Sequence, residues 1–182
     1  GDGKPDLVVA TYNNGTVTGW GTNRSPVAFV NTNGTIVASG GTLWFTNTAA
    51  NQAFYPRSGA TYGSLTVEKT GTRTLTLYTN GLITGDLTVT SGTLALGTAL
   101  THTVSTVSGS GNISFSSSTL QITGATADFS TLGTLTAGTG IIKFTGTAIT
   151  QVFKPKASAA HPQIQHTGTG ALQLSTNSLS TA

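Results

Sequence analysis

Few side chains in this sequence can perform acid–base or metal chemistry. The 182 residues include five carboxylates and three imidazoles, namely Asp2, Asp6, Glu68, Asp86, Asp128, His102, His161 and His166. Glycoside hydrolysis needs two carboxyl groups that converge on one bond. The strand spacing places Glu68 and Asp86 in different columns, and Asp128 lies in an irregular segment. The sequence therefore predicts a noncatalytic protein without catalytic residues, and a carbohydrate-active β-helix enzyme is an alternative.

The sequence gives weak indications of a metal site, none of thiol chemistry and one of a sugar-binding site. His161 and His166 are separated by an odd number of positions, so on a strand they point to opposite faces and do not share a metal. There is no cysteine, which excludes disulfides and thiol chemistry. Trp44 lies between the apolar Leu43 and Phe45 and is predicted to point outward, where an indole ring can stack on a sugar. A glycan-binding module is therefore a second alternative.

The distribution of charged and apolar residues argues against nucleic acid and membrane as partners. Only 7% of the residues are charged and the net charge is +3, with cations scattered along the chain. Nucleic-acid-binding proteins cluster their cations and interleave them with aromatic residues, so no nucleic-acid partner is expected. No apolar run approaches the length of a membrane span, so no membrane insertion is expected.

A short repeat dominates the sequence. Glycines at 41, 63, 85, 111 and 133 each precede an apolar–polar–apolar alternation, and they start 22, 22, 26 and 22 residues apart. Alternation with period two is typical of half-buried strands, and this spacing fits one coil of a parallel β-helix. The predicted fold is all-β, a parallel β-helix (β-solenoid) with rungs of about 22 residues. The alignment predicts two inner columns, Leu43, Leu65, Leu87, Ile113 and Leu135, and Phe45, Val67, Val89, Phe115 and Ala137.

A longer repeat overlies the short one. The segment that contains Phe45, Gln52, Phe54 and Pro56 recurs 99 residues later, and the segment from Thr70 to Asn80 recurs 97 residues later. The chain thus holds about one and a half copies of a 97–99-residue unit. This length is not a whole number of 22-residue rungs. Tandem β-sandwich domains of about 98 residues therefore remain an alternative fold.

The first forty residues differ from the rest. Asn–Gly turns at 14–15 and 33–34 lie between β-rich flanks and predict antiparallel hairpins, the second of which joins 27–30 to 35–38. We expect residues 1–40 to form a cap or the end of a preceding domain, and residues 41–182 to form the solenoid repeat region.

The N-terminal segment resembles the calcium loop of FG-GAP/VCBS repeats. Asp2, Gly3 and Asp6 match the last three positions of that loop, and a strand follows them. The resemblance implies a calcium site with Asp2 and Asp6 as ligands, provided that preceding residues complete the loop, because calcium requires six to eight oxygens. No other cofactor is expected.

The phrases Gly–x–Leu–Thr–Val and Ser–Gly–Thr–Leu–Ala–Leu–Gly resemble the Thr/Gly-rich repeats of large bacterial extracellular surface proteins, such as adhesins and autotransporter-like passengers. The resemblance implies a secreted, cell-surface structural or adhesive module. Stacked repeats with few charges need their edges covered, so we expect end-to-end self-association into a stalk or filament, through the N-terminal hairpins or the last rung near Ser178. The expected partners are this chain itself, neighbouring repeats and surface glycans.

Overall fold

The computed structural model describes residues 28–30, 42–46 and 51–181 of the chain. These residues contain no helix and wind into a β-solenoid of about six turns, with coils about 22 residues apart. All described strand pairs are parallel. The sandwich alternative is therefore wrong, because such sandwiches are built from antiparallel sheets. No helix in the described ranges is long and apolar enough to cross a membrane.

The described strands lie on three faces of the solenoid, and one coil visits each face in turn. Face 1 contains β2 (Thr42–Phe45), β5 (Ser64–Glu68), the second halves of β7 (Ile83–Ser91) and β9 (Thr101–Gly109), β12 (Thr126–Asp128), β15 (Thr150–Lys154) and β18 (Ala171–Leu174). Face 2 contains β1 (Ala28–Val30), β3 (Gln52–Tyr55), β6 (Thr74–Leu77), β8 (Thr93–Ala95), β10 (Asn112–Ser114) and β13 (Leu135–Thr136), and it continues with the pair β16 (Ala160–His161) and β19 (Ser180–Thr181). Face 3 contains β4 (Thr61–Tyr62), the first halves of β7 and β9, β11 (Thr119–Ile122), β14 (Ile141–Phe144) and β17 (Gln163–His166).

The core consists of like residues stacked from coil to coil. On face 1, Leu65 lies in register with Leu87 and Val67 with Val89, and all four side chains are fully buried. Thr66 between them is only partly buried, as the period-two alternation requires. Burying each Leu or Val contributes about 1.5–3 kcal/mol, so the stacked columns supply a core without a cross-link.

Strands β7 and β9 each turn a corner of the solenoid. In β7, Thr84 and Leu87 are both buried although an odd number of positions separates them, so the alternation is reset at Gly85 and Asp86. The first half of β7 pairs with β4, and the second half pairs with β5. Faces 1 and 3 are thereby joined into one sheet of 11 strands.

Close stacking at one corner requires glycine. Gly109 ends β9 with a φ of +123°, and a Cβ atom there would lie 2.1 Å from the carbonyl oxygen of Val89 in the preceding coil. Only a residue without a side chain permits both this φ and this approach.

The predicted inner columns are correct for three coils and then wrong. The first three members stack on face 1 as predicted: Leu43, Leu65 and Leu87. The next residue in this column is Val107, whereas Ile113 and Leu135 stack on each other on face 2. The predicted column of Phe45, Val67, Val89, Phe115 and Ala137 is wrong after Val89 for the same reason. Phe115 and Ala137 lie two residues after Ile113 and Leu135, and they therefore belong to face 2. Strands of faces 1 and 2 both follow a glycine and alternate in the same way, so the pattern did not separate them.

The long repeat is a repeat of strands, not of whole coils. Strands β2 to β6 match β14 to β18 in order, at the offsets of 99 and 97 residues. However, β2 lies on face 1 and β14 on face 3, while β3 lies on face 2 and β15 on face 1. A three-faced solenoid thus accommodates a repeat that ends part of the way round a coil.

The N-terminal predictions fall largely outside the described residues. Residues 1–27 and 31–41 are not described, which includes Asp2, Asp6 and the expected boundary near residue 40. Within the predicted second hairpin, Ala28–Val30 pairs in parallel with β3 and therefore extends face 2. The other arm of that hairpin, residues 35–38, lies outside the described ranges.

Candidate functional site

The outer surface of face 1 carries a row of three hydroxyl side chains, with Trp44 beside the first of them. In register, Trp44 lies beside Thr66, Thr66 beside Thr88, and Thr88 beside Ser108. The Trp44 side chain is 55% exposed, as its outward position predicts. Thr88 Oγ1 and Ser108 Oγ are 3.3 Å apart and share a hydrogen bond. Since adjacent strands lie about 4.8 Å apart, this row forms a polar strip with an aromatic ring at one end.

Three carboxylates belong to strands of face 1: Glu68 on β5, Asp86 on β7 and Asp128 on β12. Asp86 is exposed and accepts a hydrogen bond from Thr106 Oγ1 at 2.7 Å. Asp128 accepts hydrogen bonds from Ser130 N at 3.0 Å and Ser130 Oγ at 2.6 Å, and from Lys154 Nζ at 3.1 Å. Burial opposes ionisation of Asp128, but these hydrogen bonds and the Lys154 charge outweigh it, and the pKa of Asp128 lies below its usual range.

The described acids do not share a site. Glu68 pairs with Ser91, five positions along β7 from Asp86, which corresponds to about 16 Å along a strand. Asp86 on β7 and Asp128 on β12 lie on either side of β9 and are offset by two residues along the strands. The distance between their Cα atoms is therefore about 12 Å. Among the described residues, no group of three or more His, Asp or Glu side chains is placed to hold a metal ion.

Two of the three histidines are buried and bind backbone groups of two different segments. His102 Nδ1 accepts a hydrogen bond from Leu82 N at 3.0 Å, and Nε2 donates to Leu96 O at 2.7 Å. His161 Nε2 accepts from Lys156 N at 3.1 Å, and Nδ1 donates to Ser180 O at 2.8 Å. In each ring, one nitrogen accepts from a backbone N–H group and the other donates to a backbone carbonyl. The rings hold the solenoid together and are not positioned as surface ligands.

His166 is exposed on β17, in register with the buried Phe144 of the preceding coil. His161 and His166 therefore both occupy inward positions, and the prediction of opposite faces is wrong, because the two residues lie on different strands, β16 and β17, with Pro162 between them. The sequence does not reveal that His161 is buried, because the partner Ser180 lies 19 residues away.

The two repeat copies build the same aromatic corner. In the first copy, the rings of Phe45 and Phe54 are 5.3 Å apart and those of Phe54 and Tyr62 are 5.4 Å apart, and Arg57 N donates to Tyr62 Oη at 3.0 Å. The second copy has equivalent spacings of 5.3 Å and 5.9 Å with His161 in the place of Tyr62. The long repeat thus preserves packing as well as sequence.

A second element of this corner is also repeated. Asn80 Nδ2 donates to Pro56 O at 2.9 Å, and Asn177 Nδ2 donates to Pro155 O at 2.8 Å. Each bond joins one coil to the preceding coil. The corner is therefore an inter-coil clasp that occurs in both copies.

The last described coil presents an open edge, formed by β17 and β18. These strands terminate their sheet among the described residues. Inward-facing side chains elsewhere are buried, but here Ile164 and Leu172 are half-buried and Leu174 is 46% exposed. Ala171 N and Ser175 N donate to the preceding coil, so alternation directs the N–H groups of Leu172 and Leu174 to the open side. The edge therefore offers both apolar side chains and backbone hydrogen-bonding groups.

The burial of Lys69 could not be predicted from the sequence. Lys69 is fully buried, and its Nζ donates a hydrogen bond to Gln52 Oε1 in the preceding coil. Burial of a lysine requires such a partner. The bond spans 17 residues, so only the coil geometry brings the two side chains together.

Comparison with known proteins does not assign a family. No protein-family model, no curated protein and no solved structure matches this chain.

Proposed function

We propose that this chain is a noncatalytic structural or adhesive repeat module of an extracellular bacterial surface protein, and that it associates end to end into a stalk or filament. The observation that carries this proposal is the stacking of like residues from coil to coil, with Leu65 beside Leu87 and Leu87 beside Val107. Exposed parallel strand edges with apolar side chains are templates for a further strand. Covering Leu172 and Leu174 would extend the same core that stacks each described coil on the next.

Two further features support a structural role. The inter-coil clasp is present in both repeat copies, so the repeat conserves what joins the coils. The outer surface is rich in Thr and Ser and poor in charge, in keeping with the resemblance to Thr/Gly-rich surface repeats. The surface location rests on that resemblance.

The test is sedimentation of the full chain over a range of concentrations. We expect the average mass of the wild type to rise with concentration and the double variant Leu172→Lys and Leu174→Lys to remain monomeric. Ile149→Lys is the matched control, because Ile149 is 91% exposed on a loop of the preceding coil. A wild type that stays monomeric, or an Ile149 variant that dissociates as fully as the edge variant, would overturn the proposal.

A glycan-binding module is the second candidate, and it rests on the exposed Trp44 ring beside Thr66 and Thr88. An indole stacks on the apolar face of a pyranose, while neighbouring hydroxyls bond to those of the sugar. Trp44→Ala should abolish retention on the polysaccharides that the wild type binds in a glycan array. Tyr78→Ala is the control, because Tyr78 is 44% exposed but stacks on Tyr55 away from this row. Equal loss in both variants would argue against a specific Trp44 site.

A further inference from the structure

The Asn–Gly pair at positions 80 and 81 lies between two neighbouring coils and contacts both. Asn80 Nδ2 donates a hydrogen bond to Pro56 O of the preceding coil at 2.9 Å. Gly81 packs against the following coil, where a Cβ atom on this glycine would collide with Thr101 O. Stacking therefore requires glycine directly after Asn80, because a side chain at this position has no room.

An asparagine followed by glycine can deamidate without an enzyme. Gly81 N attacks Asn80 Cγ and forms a bond to it. The Cγ–Nδ2 bond breaks, and Nδ2 leaves as ammonia with the proton from Gly81 N. Water then opens the cyclic succinimide at either carbonyl, which yields aspartate or, where the main chain runs through Cγ, isoaspartate. Glycine favours the first step because it has no side chain to shield its nitrogen.

The local backbone leaves the reacting atoms accessible in the folded chain. Asn80 and Gly81 are both half-buried. The turn before them is strained, because Thr79 has a φ of +65°, a region that β-branched residues rarely adopt. Gly81 N, the nucleophile, has no hydrogen-bond acceptor among the described residues. The strand ladder therefore does not hold this nitrogen in place.

The second repeat copy has the same turn without the glycine. Thr176 has a φ of +85° at the position that corresponds to Thr79. Asn177 Nδ2 donates to Pro155 O at 2.8 Å, but the next residue is Ser178. The serine side chain shields its own nitrogen and restricts the backbone, which slows the attack. The chain thus contains a reactive and a slower version of one corner.

We propose that Asn80 is a site of spontaneous deamidation, and that the reaction opens the inter-coil clasp of the first copy while the clasp of the second copy persists. The leaving group is the donor of the clasp, so the bond to Pro56 O is lost. The carboxylate that replaces it is an acceptor only and would face a carbonyl oxygen. Isoaspartate would also add a carbon atom to the main chain beside Thr101 O, where the packing is already tight. This inference is independent of the proposed function, because it concerns the covalent state of one corner.

The first test follows the folded wild-type chain during storage in mildly alkaline buffer, which favours attack by the amide nitrogen. Digestion and mass spectrometry give the fractions of Asn80 and Asn177 that have changed from amide to acid. We expect Asn80 to convert at least about tenfold faster than Asn177. Equal rates at the two positions would overturn the proposal.

The second test measures the effect on the clasp. The stored wild type should melt at a lower temperature than the fresh protein, and Asn80→Asp should show such a loss without storage. Asn80→Gln is the matched control, because it keeps an amide and the other Asn–Gly pairs of the sequence but cyclises far more slowly. Its melting temperature should stay constant during storage.

Two results would refute opening of the clasp. One is a loss on storage that is as large in Asn80→Gln as in the wild type, because the cause would then lie elsewhere in the chain. The other is an Asn80→Asp variant that melts at the wild-type temperature.

Discussion

Acid should destabilise this fold through His102. The ring is fully buried, accepts a hydrogen bond from Leu82 N at 3.0 Å and donates one to Leu96 O at 2.7 Å. Burial penalises the charged imidazole and lowers the pKa of His102, although the bond to Leu96 O acts in the opposite direction. Protonation would also turn Nδ1 into a donor that faces the Leu82 N–H group.

The sign and size of the effect follow from proton linkage. An unfolded histidine has a pKa near 6.5, so below about that pH the unfolded chain binds a proton that folded His102 does not. The free energy of unfolding therefore falls with decreasing pH, by up to about 1.4 kcal/mol per pH unit, until the lowered pKa of the folded state is reached. Above about pH 6.5 this residue contributes no pH dependence.

Urea unfolding of the wild type and of His102→Gln between about pH 8 and about pH 5 measures this slope. Glutamine retains a donor and an acceptor but does not titrate, so the variant should be less stable at neutral pH and lose less stability on acidification. His166→Gln is the control, because it makes the same substitution at an exposed position outside the buried contacts of His102. The reasoning is refuted if His102→Gln loses stability with acid as steeply as the wild type.

Three further substitutions test the packing. Phe153→Ala should cost about 3–5 kcal/mol in urea unfolding, because the ring is fully buried at the repeated corner, whereas Ile149→Ala, at an exposed position, should cost little. Asn80→Ala should cost about 0.5–1.5 kcal/mol through loss of the bond to Pro56 O, and a melting temperature equal to that of the wild type would contradict the clasp. Gly109→Ala should lower the melting temperature markedly, because its Cβ would collide with the preceding coil, and an unchanged melting temperature would show that this corner can relax.

The general fold follows from the sequence because stacking imposes the same alternation on every coil. Leu65 and Leu87 could be paired from their shared Gly–x–Leu–Thr–Val pattern. Val107 could not, because β9 begins at Thr101 without the leading glycine and resets its alternation at a corner. A pattern that marks the start of a strand does not say on which face that strand lies.

The buried polar groups could not be predicted for a different reason. Trp44 shows its outward position through its immediate neighbours Leu43 and Phe45. By contrast, Leu82 reaches His102 across 20 residues, and Gln52 reaches Lys69 across 17 residues. These contacts depend on the length of each coil and its corners, which the local pattern leaves open.

Comparing the two copies separates the parts of the repeat that build the solenoid from those that face outward. Inside, Phe45 and Phe54 recur as Phe144 and Phe153, with nearly the same ring spacing.

Outside, Trp44 is replaced by Lys143, and Tyr55 is replaced by Lys154, whose Nζ is 3.1 Å from Asp128 Oδ2. Any recognition by Trp44 would therefore belong to one copy and one stretch of the surface, whereas coil stacking belongs to both. Coil stacking is the property that the two copies share, and for this reason we rank end-to-end association above glycan binding.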